Sequence, residues 1–159
     1  MNFETILGKV DFLEFLRGKK ATFLLSASVT KTCEIPNISQ AGIPGFLHLT
    51  PILDAEFLCT KQVRSMPQIA QTPKGVPTPA LITRAVHELN AFSNIEILNL
   101  GLETLPQISH FKIHDFHIKP SNRIDDGAKI PAMEIFQKGI EFGQSYKTND
   151  DYVILAESI

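Results

Sequence analysis

Residues 21–29 have the sequence Ala-Thr-Phe-Leu-Leu-Ser-Ala-Ser-Val, an apolar run of strand length that turns polar at its end. Such a run predicts a strand of a parallel sheet, because both faces of those strands are covered. Two further runs, residues 95–100 and 152–156, have the same character. Helical patterns separate the three runs, which predicts β-α-β crossovers. We therefore expect an α/β domain with a mostly parallel sheet, in a Rossmann-like three-layer arrangement, and the three runs as neighbouring parallel strands.

Three segments carry the spacing of amphipathic helices. Residues 2–17 predict a first helix, which Asn2 caps and Gly18 ends. Thr78 and Pro79 predict the start of a crossover helix over residues 79–92. Its apolar stripe comprises Leu81, Ile82, Ala85, Val86 and Leu89. A third helix is expected to begin at Pro131, with three side chains facing inward and two glycines permitting close packing: Met133, Phe136, Ile140, Gly139 and Gly143.

Two other segments lack helical spacing. Residues 111–118 alternate between apolar and polar side chains, which predicts another strand. Residues 30–77 contain six prolines and three glycines, so we expect only short regular elements there. Long loops within a compact domain are usually functional. With a total length of 159 residues, we expect one α/β domain over residues 1–159 that includes this loop-rich segment.

The composition narrows the functional classes. Fifteen basic and seventeen acidic residues give a net charge of −2, and basic residues do not cluster beyond residues 17–20, which argues against a nucleic-acid partner. Neither an apolar run of ~20 residues nor a signal-peptide pattern is visible, so we expect no membrane contact and a cytoplasmic location. Cys33 and Cys59 are expected to be free thiols. Motifs for a dinucleotide, a phosphate loop or a metal are not found, and no cofactor is predicted.

Candidate binding residues follow from position and chemistry. In parallel sheets ligands bind beyond the carboxyl ends of strands, which draws attention to residues 26–33, 99–104 and the pair Glu157 and Ser158. A carboxylate at the end of a buried strand is costly unless it is paired or faces a site, which favours Glu157 as an orienting group. Asp54 and Glu56 lie two residues apart, so an extended backbone would point both carboxylates to one side. They would then bind a ribose hydroxyl or a base nitrogen, or form a solvated surface pair.

Two residues of the crossover helix are further candidates. Thr78 caps the helix, and the same helix N-terminus has free N–H groups that could receive a phosphate or carboxylate. Arg84 is either a surface arginine or an anion contact. Three histidines of the 110–117 region, His110, His114 and His117, invite a metal site, but a straight strand would place His117 on the opposite face from the other two. Polar decoration of a strand is therefore favoured, and no metal site is predicted.

Three stretches together resemble one known family. The first comprises residues 32–42, Thr-Cys-Glu-Ile-Pro-Asn-Ile-Ser-Gln-Ala-Gly, and residues 49–58, Leu-Thr-Pro-Ile-Leu-Asp-Ala-Glu-Phe-Leu. The second comprises residues 72–85, Thr-Pro-Lys-Gly-Val-Pro-Thr-Pro-Ala-Leu-Ile-Thr-Arg-Ala. The third comprises residues 139–143 and leads into residues 151–159, which end in Glu-Ser-Ile. The chain resembles the N-terminal half of proteins related to nicotinate-nucleotide:dimethylbenzimidazole phosphoribosyltransferase. It departs from their usual pattern at Asn37, where a glycine is commoner.

The resemblance implies transfer of phosphoribose from nicotinate mononucleotide to a benzimidazole-type base, in assembly of the lower ligand of cobalamin. It adds weight to Asp54 and Glu56, and the substrate-binding candidates are Asp54, Glu56, Thr78, Arg84, Glu157 and Ser158. In that family the general base, a glutamate, and a glycine-threonine phosphate loop lie beyond the matched half. No catalytic residue is therefore assigned, and the chain alone is expected to be inactive.

Two function classes remain open. The chain is either a fragment or separately encoded half of a phosphoribosyltransferase, with a C-terminal half as its partner, or a non-catalytic domain that binds a nucleotide, an aromatic base or only a partner chain. A sheet without the second half would leave apolar surface or an open strand edge. We therefore expect self-association as a two-fold homodimer, with the helix over residues 2–17 in the contact; the alternative is that this helix packs wholly on its own domain.

Overall fold

A computed structural model describes residues 11–159. The predicted first helix, residues 2–17, lies partly outside the described residues, as does its predicted cap Asn2. The proposed dimer contact of this helix therefore also lies mostly outside the described residues. Within the range, helix α1 spans Asp11–Leu16. Gly18 follows with φ +73°, a left-handed conformation that glycine adopts at little steric cost. The predicted helix end is confirmed at this glycine.

Four parallel strands form the sheet: β1 Ala21–Ala27, β2 Asn94–Asn99, β3 Lys112–Asp115 and β4 Tyr152–Ser158. Their order is β3-β2-β1-β4, so β1 lies between β2 and β4, with Phe23 opposite both Ile95 and Ile154. The predicted parallel sheet is confirmed. β3 is shorter than the predicted strand 111–118, since the left-handed residue His117 (φ +55°) follows it closely.

Helices cover both faces of the sheet. Helix α2, Thr50–Thr60, and helix α3, Ala80–Leu89, lie on one face, and helix α4, Ala132–Ser145, lies on the other. Short 3-10 helices occur at Lys31–Glu34, Leu47–Leu49 and Ile124–Asp126. The main core lies between α2 and the sheet, and it includes Phe23, Leu25, Ala27, Ile52, Ala55, Leu58, Ile95 and Ile97. The result is the expected three-layer α/β fold. Among the described residues no helix has the length and apolar character that a bilayer crossing requires.

The expectation of only short elements in residues 30–77 is wrong, because α2 is an eleven-residue helix within that segment. Pro51 stands in its first turn, where proline does not break a helix. Nine of its eleven residues are buried. A helix buried on nearly every side has no polar face and therefore no amphipathic spacing by which it could be recognised.

The expected inward face of α4 is also wrong. Met133, Phe136 and Ile140 are exposed, and a Cβ at Gly139 or Gly143 would meet open space. A second apolar stripe faces the sheet instead. Phe142 stacks edge-on against His114 of β3 with ring centroids 4.9 Å apart, and Tyr146, one turn later, lies on the same side. Both stripes have helical spacing, but the contacts with His114 place the stripe that contains Phe142 against the sheet.

The burial of α2 predicts where the fold is most sensitive. Ile52 is 0% exposed in the core, whereas Ile82 of α3 is 70% exposed. We expect Ile52→Ala to lower the free energy of unfolding by about 2–5 kcal/mol, since it removes buried methyl groups and leaves a cavity. The matched change Ile82→Ala should shift it by no more than about 0.5 kcal/mol. Urea denaturation followed by circular dichroism measures both; equal losses would mean that α2 is not the core helix.

Candidate functional site

A cavity of about 280 Å³ lies between α2, the end of β4 and the segment that leads into α3. It adjoins the boundary between β1 and β4, where the strand order reverses. Such reversal points are where ligands bind in open α/β sheets. The lining is mostly apolar, with contributions from Phe23, Leu25, Leu58, Ala70, Val76, Pro77 and Ala156. Its polar side chains are Thr50, Asp54, Gln71, Thr72, Thr78, Thr83, Glu157 and Ser158.

Asp54 is the central polar group of this cavity. It is 8% exposed. Its Oδ2 accepts a hydrogen bond of 2.7 Å from Ser158 Oγ, while its Oδ1 is buried and has no hydrogen-bond partner. Burial raises the pKa of Asp54 above its ordinary value of 3.8, and the neighbouring hydroxyls of Ser158 and Thr78 offset the effect only in part. Asp54 thus lines the cavity and keeps one buried acceptor atom without a partner.

Thr50 contributes a second unpartnered group from the same helix. It precedes Asp54 by four residues, so the two side chains lie on one face of α2. Thr50 is 6% exposed, and its Oγ1 is buried without a hydrogen-bond partner. Gly42 makes room for this hydroxyl, because a Cβ at position 42 would stand only 2.2 Å from Thr50 Oγ1. Two residues that line the cavity, Thr50 and Asp54, therefore each keep one buried polar atom without a partner.

The N-terminus of α3 forms another part of the wall. Thr78 Oγ1 accepts a hydrogen bond of 3.2 Å from Ala80 N. The predicted assignment of Thr78 as the N-cap and Pro79 as the first helical residue is wrong by one position, because Pro79 holds the capping position and the helix begins at Ala80. Because this hydroxyl already engages one free N–H group, it acts in shaping the helix start.

The last residues of β4 complete the cavity. Ser158 binds Asp54 as described, and Glu157 lines the cavity edge. Glu157 is exposed. The expectation that its carboxylate ends a buried strand is wrong, because β4 is an edge strand of the sheet that the described residues form. Residues 99–104 serve another purpose. Asn99 is buried, and its Oδ1 accepts hydrogen bonds from the backbone of Gly101 and Leu102.

Glu56 does not line the cavity, and its expected position beside Asp54 on an extended backbone is wrong. It lies in α2 and is fully buried. Its carboxylate accepts hydrogen bonds from the backbone N–H groups of Arg64, Ser65 and Gln107 and from Ser65 Oγ, at 2.6–3.0 Å. Burial raises the pKa of Glu56, but these hydrogen bonds outweigh burial and hold the pKa below its ordinary value of 4.5. Glu56 joins three segments of the chain.

Arg84 also lies outside the cavity lining. Its Nη1 donates hydrogen bonds to the carbonyl oxygens of Leu58, at 2.8 Å, and Cys59, at 3.3 Å. Those carbonyls belong to the last turn of α2, which has no intrahelical donors for them. Its Nε donates to Glu88 Oε1. In this structure Arg84 ties α3 to the C-terminal end of α2. It is therefore neither the free surface arginine nor the anion contact that the sequence suggested.

The three histidines do not converge. His114 Nε2 lies 2.5 Å from Glu96 Oε2 beneath α4, whereas His110 and His117 both have left-handed backbones that turn the chain around β3. Within residues 11–159 no group of three or more histidine, cysteine or carboxylate side chains could hold a metal ion. Cys33 and Cys59 are free thiols, as expected.

Comparison with known proteins identifies several relatives of this chain. No family model matches the chain. A UPF0284 protein of Sulfurisphaera tokodaii is 30% identical over 162 residues, which cover 100% of this chain and 45% of the relative. The chain is similar to UPF0284 proteins. That of Metallosphaera sedula is 33% identical over 91% of the chain and 41% of its own length, and that of Pyrococcus furiosus 36% identical over 77% and 40%. The chain spans less than half the length of these relatives.

The two carboxylates of α2 should respond oppositely to pH. Glu56 has a lowered folded pKa, so its stabilising effect is complete above about pH 4.5 and is lost as the pH falls through the folded pKa. Asp54 has a raised folded pKa, so it destabilises the fold as the pH rises from about 3.8 through the folded pKa. We expect Glu56→Gln to cost about 1–3 kcal/mol at pH 7, since it leaves a buried N–H unpaired.

Asp54→Asn should instead raise the free energy of unfolding at pH 7, because it removes a buried charge. Both differences from the unsubstituted chain should shrink toward pH 3.5. Chemical denaturation of the two variants between pH 3.5 and pH 8 gives the test. If Asp54→Asn destabilised the protein at pH 7 as much as Glu56→Gln does, Asp54 would not be the poorly hydrogen-bonded carboxylate of the two.

Proposed function

We propose that the cavity beside Asp54 binds a benzimidazole-type aromatic base, and that the chain is the base-binding part of a phosphoribosyltransferase-like protein that transfers phosphoribose from nicotinate mononucleotide to that base. The observation that carries the first part is that Asp54 lines the cavity and keeps a buried Oδ1 without a hydrogen-bond partner. The second part rests on the resemblance of residues 32–42, 49–58, 72–85, 139–143 and 151–159 to that family.

The unpartnered groups match the hydrogen bonding of an azole ring. Such a ring carries one N–H donor and one nitrogen acceptor. Asp54 Oδ1 accepts from the N–H, and Thr50 Oγ1, which both donates and accepts, reaches a second polar group. Binding would therefore remove the cost of leaving buried polar atoms without partners, which is about 1–3 kcal/mol for each group.

The walls and charge of the cavity also favour a neutral ring. Phe23, Leu25 and Leu58 supply apolar surface, and ligand sites are typically apolar with a few orienting polar groups. The volume of about 280 Å³ accommodates a bicyclic base. The residues that line the cavity include no lysine, arginine or histidine to neutralise a phosphate. We infer that the phosphoribosyl group is held elsewhere.

The transfer reaction needs groups that this cavity does not supply. Deprotonation of the incoming nitrogen requires a general base, and the phosphate requires a cradle of N–H groups. In the family that the sequence resembles, a glutamate and a glycine-threonine loop outside the matched half perform these tasks. Asp54 is accordingly proposed as a binding group, with the chemistry completed by the portion of the relatives that this chain does not span.

A second candidate is a domain that binds an aromatic base without catalysis. The absence of basic side chains from the cavity lining favours it, because a complete transferase must also hold a phosphate. The two candidates share the base site and differ in whether a nucleotide reacts there when the remaining portion of the protein is present.

Base binding can be measured directly on the chain. We expect 5,6-dimethylbenzimidazole and benzimidazole to raise its melting temperature and to bind in isothermal titration calorimetry. 1-Methylbenzimidazole, which lacks the N–H donor, should bind at least about tenfold more weakly, as the loss of one hydrogen bond to a charged group implies. Asp54→Ala, which removes the acceptor, should abolish this discrimination, whereas the exposed-site control Ile82→Ala should retain it. Equal affinity for the bases with and without the N–H would exclude Asp54 as their partner.

The chain alone should not catalyse transfer. Incubation of residues 1–159 with nicotinate mononucleotide and 5,6-dimethylbenzimidazole is expected to give no ribosylated base by liquid chromatography, because removing even one preorganised stabilising group typically slows a reaction by ~10²–10³. Robust product formation by the purified chain would show that the catalytic groups lie within it. A chain that binds the base and shows no turnover fits the proposal.

A further inference from the structure

Strand β4 forms an open edge of the sheet. It pairs with β1 on one side, and no described strand pairs with it on the other. Leu155 is 69% exposed, and Val153 is exposed as well. Edges of this kind are unusual, because parallel sheets are normally covered and an unpaired strand is a template for pairing with another chain.

The hydrogen-bond ladder identifies the free backbone groups. Tyr152 N donates to Lys20 O at 3.3 Å, and Ser28 N donates to Ser158 O at 3.2 Å. In a parallel ladder alternate residues of a strand bond to the same neighbour. Residues 152, 154, 156 and 158 therefore face β1, and Val153, Leu155 and Glu157 direct their N–H and C=O groups outward. The outward backbone and the exposed apolar side chains thus belong to the same residues.

We propose that this β4 edge is a docking surface for the portion of the UPF0284-type protein that the present chain does not span, which adds a parallel strand beside β4. The match covers 45% of the Sulfurisphaera tokodaii relative and 40% of that from Pyrococcus furiosus. More than half of each relative thus lies outside the region that forms this sheet. That portion is the occupant, and its apolar side chains cover Val153 and Leu155.

Charge disfavours one two-fold pairing of a second copy of the chain at the same edge. Two copies related by a two-fold axis would pair β4 in an antiparallel manner. A register centred on Ile154 would place Asp151 of one copy opposite Glu157 of the other, and like charges in cross-strand positions are destabilising. A strand of different sequence has no such restriction. Because residues 156–159 also line the cavity, the added strand would stand next to the base site.

Amide exchange tests this docking without any ligand, so its outcome is independent of base binding. The chain is substituted for the matched region of the Sulfurisphaera tokodaii relative, and exchange is followed by NMR in the chain alone and in this chimera. We expect the amides of Val153 and Leu155 to exchange at least about 100-fold more slowly in the chimera, as paired backbone groups do. The inward amides of Ile154 and Ala156 should be protected in both and report that β4 is folded.

Matched lysine substitutions provide a second readout. Leu155→Lys should lower the melting temperature of the chimera and leave that of the isolated chain nearly unchanged. Ile82→Lys, at a residue of equal exposure on α3, should affect neither. Fast exchange of the Val153 and Leu155 amides in a chimera that protects Ile154 overturns the proposal. So does concentration-dependent protection of those amides in the isolated chain, which would reveal a second copy. If the chimera does not fold, the same exchange measurement is made on the Sulfurisphaera tokodaii relative itself. Fast exchange of its amides at the positions aligned with Val153 and Leu155 then overturns the proposal.

Discussion

Helix α2 brings two carboxylates into the protein interior, and the remaining structure is arranged around the pairing of Glu56. A buried charge is tolerated only when hydrogen bonds replace the water it loses. Three backbone N–H groups and one hydroxyl do so here, from residues 64–65 on one side and residue 107 on the other. One side chain therefore fixes the loop after α2 and the loop after β2 against the same helix, which in turn sets the depth of α2 on the sheet.

Asp54 shows the opposite condition on the same helix. Ser158 satisfies one of its oxygens, and the other is left without a partner. Buried polar atoms without partners are rare in folded proteins and each calls for an explanation. Glu56 and Arg84 tie α2 to its neighbours, so a rotation of the helix that gave Asp54 a partner would break those hydrogen bonds. The stability contributed by Glu56 thus permits a locally unfavourable group at the cavity. Binding sites commonly contain such groups.

The sheet was predictable from sequence, while parts of the helical layers were not. Buried strands such as β1 are short apolar runs, and their alternation with helical spacing implies a parallel sheet. Helix α2 lacked any periodic signal because nearly all of its residues are buried. Helix α4 carried two apolar stripes, and only the aromatic contacts of Phe142 with His114 and Phe116 decide which stripe faces the sheet. That choice depends on partners far away in the chain, which local spacing does not contain.

Prediction of the candidate site failed for the same reason, because α2 was not recognised as a helix from the sequence. Two residues that are two positions apart share a face in a strand, but in a helix they are separated by about 200° around the axis. Asp54 and Glu56 therefore face different parts of the protein once α2 is recognised, one the cavity and the other the loops. The same helical spacing brings Thr50 beside Asp54, a pair that an extended backbone would not suggest. Assigning α2 thus changes which side chains are available to a ligand, without any change in the residues themselves.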